Sequence, residues 1–252
     1  MGAKICDLSQ PFGQMTPLWP FPGKRQDIIL QRAEYHERFR KRSTIYTGTL
    51  HPATHMDAPI HVIDGGMTLD QIPLENCYGT GVVVDFRNMQ DKKWYLITSE
   101  DFEKATPKIE KGDFVVLNTG WHKLWRVKNY DYFNYFAGLT KDGAEWLVKK
   151  GIKAIAVDHG AMDSPLWHYK LSENMPWLDR EFRQETGRDP DKEFPEYEPC
   201  HRILLGNGIV CIENAGGDID AVTGKRVTLA AFPFRLEQGD GCMVRLVAIV
   251  KE

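Results

Sequence analysis

The chain has 252 residues, of which 42% are hydrophobic, and this is enough to bury one full core or two small ones. A formal net charge of -3 and scattered lysines and arginines offer no basic surface to a nucleic-acid backbone. The chain has no run of about eighteen apolar residues, and its start lacks the apolar stretch of a signal peptide. We therefore expect one domain, residues 1–252, in a soluble cytoplasmic protein that binds neither nucleic acid nor a membrane.

Short runs of β-branched residues that open with glycine alternate with helical patterns along the chain. The patterns predict buried strands at 79–86, 112–120, 151–160 and 208–214, with a last strand at 241–252 in the same sheet or at its edge. Helices with acidic first turns are predicted at 98–105 and 140–151. Residues 167–199 are polar, aromatic and charged without a clear period, so we expect an excursion over the surface with room for one helix. The alternation predicts a mixed α/β fold.

The stretch "HPATHMDAPIH", residues 51–61, holds three of the eight histidines of the chain. Pro52 and Pro59 oppose a regular helix and a central strand through it. In a flat strand, its two end residues would lie roughly 33 Å apart, too far for one metal ion. The stretch must therefore curve or bulge.

A curved strand could bring His51, His55 and Asp57 onto one ion, with His61 beside the ion and not necessarily bound to it. Two imidazoles and a carboxylate leave coordination positions open, as a catalytic site requires. The alternative is that these histidines are surface residues or satisfied core residues.

A distant pair strengthens the metal interpretation. His201 precedes a predicted strand, and Glu213 ends it, where charged ligands often collect. A carboxylate buried without a partner is costly, and a cation is the simplest partner. Glu213 could instead be the first exposed residue after the strand.

Two further residues are candidates. Prolines frame Trp19 in "PLWPFPG" and stiffen an aromatic surface, although core packing would explain the residue equally well. His159 in "DHGAMDSP" follows a predicted strand, together with Asp163, and is a secondary candidate for contact with substrate or metal. A loop histidine of this kind is more often solvated.

The spacing of His51, Thr54, His55, Asp57, Pro59 and His61 resembles the HxGTHxDxPxH signature of the cyclase family of metal-dependent hydrolases, which includes bacterial kynurenine formamidase and isatin hydrolase. The similarity extends from "DLSQPFGQMTPLWP" through "VLNTGW" and "GIKAIAVDHG" to "IENAGGDID", and residues 167–199 match least. One signature position differs, because Ala53 stands where the family usually has glycine.

The resemblance implies a role for each candidate. His51, His55 and Asp57 would hold a first metal, and Asp57 would bridge to a second metal completed by His201 and Glu213. His61 would transfer protons, and Trp19 would line the substrate pocket. The family also implies a swivelling β/β/α fold, with a mixed sheet and surrounding helices, and a homodimer or homotetramer with its sites near subunit contacts.

The chemistry of such a site predicts hydrolysis. A divalent ion lowers the pKa of bound water from about 15.7 towards about 7, and the resulting hydroxide can attack a carbonyl carbon. A histidine such as His61 can pass the proton to the departing nitrogen. We expect zinc or manganese, as one or two ions per chain. The predicted protein is a metal-dependent amidohydrolase that cleaves a C–N bond in a small aromatic or cyclic amide or imide. The alternatives are an arylformamidase acting on N-formylkynurenine, a hydrolase of cyclic esters, and a non-catalytic metal-stabilised binding protein.

Overall fold

The computed structural model describes residues 2–20, 28–36, 41–168 and 170–251, with the backbone alone for residues 32–36 and 42. Within these ranges the strands are β1 (Ala3–Asp7), β2 (Ile29–His36), β3 (Lys41–Thr47), β4 (His55–Asp57), β5 (Tyr78–Asp85), β6 (Leu96–Ile97), β7 (Phe114–Asn118), β8 (Gly138–Leu139), β9 (Ala154–Val157), β10 (Val210–Glu213), β11 (Lys225–Ala230), β12 (Gly241–Met243) and β13 (Val247–Lys251). The α-helices are α1 (Ser99–Lys104), α2 (Asn129–Asn134), α3 (Lys141–Lys150), α4 (Leu171–Asn174), α5 (Pro176–Thr186), α6 (Pro190–Glu193), α7 (Pro199–Gly206) and α8 (Ile219–Val222).

A mixed sheet forms the centre of the fold. Its strand order is β1-β13-β11-β5-β7-β9-β10-β4-β12, and the pairs β5-β7, β7-β9 and β9-β10 are parallel. Three of these four strands lie inside their predicted ranges and end up to three residues short of them, and β5 begins one residue earlier than predicted. The prediction succeeds because a strand buried on both faces is apolar along nearly its whole length. Both predicted helices are also present, as α1 and α3. The predicted mixed α/β fold is confirmed.

The prediction of one strand over 241–252 is wrong, because two strands form there. β12 lies at one end of the sheet and pairs with β4, whereas β13 lies next to the other end and pairs with β1 and β11. The four-residue step from Met243 to Val247 reaches at most about 14 Å. In a flat sheet, strands seven places apart would be about 34 Å from each other. The sheet therefore curls until its two ends approach.

The excursion at 167–199 is more helical than predicted, since it contains α4, α5 and α6. The helix α5 begins with Pro176 and ends before Gly187, which adopts φ +69°. It buries Leu178 and Phe182 in an aromatic cluster that also contains Phe194. The segment thus packs through this aromatic cluster against other parts of the chain.

The histidine-rich stretch is ordered by its neighbours in the sheet. β4 contains only three residues and lies between β10 and β12, with Glu213 opposite His55 and Gly241 opposite Asp57. A bend precedes it, and a 3₁₀ turn at Pro59–His61 follows it. The chain therefore curves on either side of a short strand, as the spacing of the prolines indicated. No helix in the described ranges is long and apolar enough to cross a membrane.

Candidate metal centre

Asp57 lies at the centre of a buried group of histidines and carboxylates. Its Oδ1 is 2.7 Å from His51 Nδ1 and 3.4 Å from His55 Nε2. Its Oδ2 is 3.7 Å from His201 Nε2. The carboxylate of Glu213 closes the group, with Oε2 3.4 Å from His55 Nε2 and Oε1 2.8 Å from His201 Nε2. The structure therefore brings together all five residues that the sequence analysis named as metal ligands.

Asp57 belongs to two sets of possible ligands. His55, Asp57 and Glu213 offer ligand atoms that all lie within 4.8 Å of one another, and so do His51, Asp57 and His61. A carboxylate shared by two sets can serve one ion or bridge two. His61 lies close enough to join the second set, as the sequence argument left open. The ring of His61 is 4.3 Å from that of His51, measured between ring centroids.

The residues fit a divalent cation. Asp57 Oδ2 is buried and has no hydrogen-bond partner among the described residues. A carboxylate oxygen in that position is costly unless a cation compensates its charge. Imidazole nitrogens and carboxylate oxygens are ligands that zinc and manganese accept. His51, His55, Asp57, His201 and Glu213 would hold such an ion.

Each histidine of the group has an acceptor on its far side. His55 Nδ1 donates to the carbonyl oxygen of Ala53 at 2.9 Å, which turns Nε2 towards Asp57. His201 Nδ1 is 2.6 Å from Asp163 Oδ2, and His51 Nε2 is 3.0 Å from Asp240 Oδ2. Such partners fix the tautomer and orientation of metal-binding imidazoles.

Asp163 and Asp240, the carboxylates that contact His201 and His51, were not equally predictable from the sequence. Asp163 was noted beside His159 as a possible contact, but its partner could not be identified. Asp240 was missed altogether. In the sequence, Asp240 is marked only by its place in "GDG" at the start of a strand. It comes close to His51 because that strand, β12, pairs with β4.

The charges of the group shift the pKa values of its members strongly. Burial opposes a charged His51, yet hydrogen bonds to Asp240 and Asp57 raise its pKa to about 10. Burial likewise opposes a charged His201, but hydrogen bonds to Asp163 and Glu213 raise its pKa well above the ordinary value. Burial alone would raise the pKa of Asp57, whereas the charges of His55 and His51 hold it well below its usual range. A cation that binds here must displace protons from these histidines.

Ala53 adopts a backbone conformation that favours glycine. Its φ is +51°, in the left-handed region that costs a residue with a Cβ about 1–2 kcal/mol. The family glycine is therefore replaced here without loss of the turn. The turn directs the Ala53 carbonyl towards His55 Nδ1.

A cavity of about 530 Å³ opens next to the candidate ligands. Trp19 lies in its wall, with its ring centroid 5.3 Å from that of Phe133 and 5.2 Å from that of His168. The excursion at 167–199 contributes His168, Tyr197 and Glu198 to the same wall, and the sequence analysis did not identify any of these three. The predicted place of Trp19 beside the site agrees with this geometry, while its contact with a substrate stays a prediction.

His159 lies behind the wall of the cavity. Its ring is fully buried and stacks on Phe136 at 4.8 Å between centroids, and the residue is absent from the described lining. Burial lowers the pKa of His159 and favours its neutral form. The secondary interpretation of His159 as a ligand or substrate contact therefore has no support in this geometry, and the expectation of a solvated loop residue does not hold either.

Comparisons with known proteins agree with the resemblance seen in the signature. Cyclase-like protein 3 of Oryza sativa subsp. japonica is 24% identical over 254 residues, which cover 98% of this chain and 80% of that protein. Kynurenine formamidase of Bacillus anthracis is 25% identical over 245 residues, or 97% of each chain. Isatin hydrolase A from Ralstonia solanacearum has the same fold, with a TM-score of 0.78 at 19% identity over 99% of this chain and 92% of that one. The family profile described as Putative cyclase matches residues 6–164, more than half of the sequence, and the chain therefore belongs to that family.

Proposed function

We propose that the protein is a metal-dependent hydrolase that cleaves a C–N bond in a small aromatic or cyclic amide or imide. The observation that carries the proposal is the buried Oδ2 of Asp57, which has no hydrogen-bond partner among the described residues and lies within a group of histidines, beside an open cavity with an aromatic wall. Relatives named kynurenine formamidase and isatin hydrolase support hydrolysis of a carbonyl compound. The ion, zinc or manganese as one or two per chain, would supply a water of lowered pKa and polarise the carbonyl group.

The remaining steps fall to side chains of the chain. His61 reaches the cavity with a side chain that is 30% exposed, and its Nδ1 lies 3.7 Å from Asp240 Oδ2. It would take the proton of the attacking water and donate it to the departing nitrogen, which cannot leave as an anion. Asp240 would keep the ring turned towards the cavity. The edges of Trp19 and Phe133 would hold a flat substrate over the ligands.

Two alternatives make different predictions. An arylformamidase would act on N-formylkynurenine, and the full-length match to a bacterial kynurenine formamidase favours it. A metal-stabilised binding protein would keep its ion and hydrolyse neither amides nor esters. Both a hydrolase and a binding protein can use the cavity beside the ligands, and turnover separates the two. We further propose a homodimer or homotetramer, which gel filtration with light scattering would test.

Turnover of N-formylkynurenine and isatin in parallel tests the proposal. The protein is stripped with a chelator and then reloaded separately with zinc and with manganese. Metal-dependent opening of isatin alone supports a cyclic-amide hydrolase, and cleavage of the formamide alone supports the arylformamidase. Asp57→Asn should abolish both activities and reduce bound metal, whereas Asp113→Asn changes a buried aspartate away from the centre and should leave metal content unchanged. Equal turnover by stripped and reloaded protein would contradict the metal-dependent mechanism.

A further inference from the structure

Glu198 is held on the cavity wall by its backbone. Its φ of +46° and ψ of 54° are left-handed, and Pro199 follows it at the start of α7. Its backbone N–H donates to the carbonyl of Trp167 at 3.1 Å, and its carbonyl accepts from the N–H of Arg202 at 3.3 Å. A side chain that is long and flexible elsewhere therefore starts here from a fixed point at the rim of the site.

Glu198 lines the same cavity as the candidate metal ligands. Burial raises its pKa, the charges of Asp163 and Glu213 add to the effect, and those of His201 and His61 oppose it. His61, His201 and Glu213 line the same cavity as Glu198, and Asp163 is buried behind His201. No Lys or Arg in the described part of the chain forms an ion pair with Glu198, and none occurs among the described lining residues. The cavity wall thus carries a carboxyl group that no described Lys or Arg pairs with, and a cationic ligand group beside it would favour its ionised form.

Aromatic rings line the cavity from Trp19 to Tyr197, the residue before Glu198. The ring of Trp19 contacts that of His168 at 5.2 Å, and the ring of His168 contacts that of Tyr197 at 5.7 Å, measured between centroids. Tyr197 and Glu198 are neighbours in the chain and both line the cavity. A flat substrate on this surface, with its carbonyl at the candidate metal centre, would point a ring substituent towards Glu198.

We infer that Glu198 makes the site selective for flat aromatic amides that carry a cationic amino substituent, and against amides that carry a carboxylate. The inference rests on the proposed hydrolase function and specifies its substrate class. A charge-assisted hydrogen bond from an ammonium group to Glu198 should favour the cation by about ten- to hundredfold. A substrate carboxylate would instead meet a like charge with little water to screen it.

Three formanilides of similar size test the inference with the metal-loaded protein. The 4-aminomethyl compound is cationic, the 4-hydroxymethyl compound is neutral, and 4-formamidobenzoate is anionic. We expect kcat/KM to fall in that order, with at least about a tenfold ratio between cation and anion. Glu198→Gln keeps the size of the side chain and should reduce this ratio to near one. Glu196→Gln, an exposed residue of the same segment that pairs with Lys141, is the matched control and should keep the wild-type ratio.

Ligand binding separates failure of this inference from failure of the proposed function. Calorimetric titration with benzylamine and with benzyl alcohol needs no turnover, and the wild type should bind the amine at least about tenfold more tightly. If no formanilide is hydrolysed, the proposed function fails for this class, and the binding preference still decides the role of Glu198. Wild-type protein without preference for the amine, or Glu198→Gln protein with an unchanged preference, would overturn the inference. If Glu198→Gln and the control Glu196→Gln both lose the preference for benzylamine, the inference is overturned as well.

Discussion

Replacing Asp163 with Asn should weaken metal binding about 10- to 100-fold, because Asp163 orients a candidate ligand without touching the ion. Its Oδ2 is 2.6 Å from His201 Nδ1 and accepts from the His201 N–H at 2.9 Å, while its Oδ1 accepts from the Cys200 N–H at 2.7 Å. An asparagine has only one acceptor oxygen for these three donors. If its amide nitrogen faces the ring, His201 must change tautomer and present Nε2–H to the centre. If its oxygen faces the ring, the negative charge that raises ring basicity is lost.

The same substitution should also reduce the free energy of unfolding by about 1.5–3 kcal/mol, the contribution of one hydrogen bond to a charged group. Asp113→Asn is the matched control. Asp113 is also buried, and it accepts from Arg226 Nη1 at 2.6 Å and from the Glu110 N–H at 2.7 Å, far from the metal ligands in the sequence. It should lose a similar amount of stability and keep wild-type metal affinity.

Competition with a chromogenic chelator gives the affinities, and urea denaturation with excess metal gives the stabilities. Two results would refute the reasoning. The first is metal binding by the Asp163→Asn protein within about twofold of wild type, since an orienting partner should matter more than that. The second is an equal loss of affinity in Asp113→Asn, which would show that affinity merely follows overall stability.

Three other predictions concern the same centre. His61→Ala should lower turnover about 100- to 10,000-fold while metal analysis finds the ion retained, and a fully active variant would remove His61 from the mechanism. Metal-free protein should lose stability as pH rises from 6.5 through about 10, by at most about 1.4 kcal/mol per pH unit for each group, because the raised pKa of His51 and of His201 makes the folded state bind more protons there. Urea midpoints that stay constant over this range would contradict it. Gly241→Ala should lower metal affinity in the chelator assay, since the new Cβ would lie 2.5 Å from His51 Cε1, and unchanged affinity would mean that the ring has room to move.

The sequence predicted those parts of the fold that depend on local pattern. The central strands are apolar and uninterrupted because helices and loops cover both faces of the sheet. The division of 241–252 into β12 and β13 depends on which strands lie beside each half, and no local pattern encodes that choice. The helix α5 did have signals at its ends, in Pro176 and Gly187, but the charges between them hid a period set by Leu178 and Phe182.

In the candidate site too, residues set by a local pattern could be predicted, and contacts between distant residues could not. The spacing of His51, His55 and Asp57 is local and could be read directly, and Glu213 was found because it ends a buried strand. Asp163 and Asp240 act on histidines that are distant in sequence, and only the fold brings them there. Glu198 belongs to a segment without a recognisable pattern, so its place at the cavity could not be predicted.

The two strands that enclose β4 are synthesised long after β4 itself. Asp57 leaves the ribosome long before Glu213 and Gly241, yet these residues belong to the two strands that enclose it. Until both strands have emerged, the three histidines of the nascent stretch are exposed, and an open chain can capture metal in a non-native arrangement. Pairing between such distant strands is also slow. Metal supplied after the sheet has closed should therefore yield more correctly loaded protein than metal present throughout refolding.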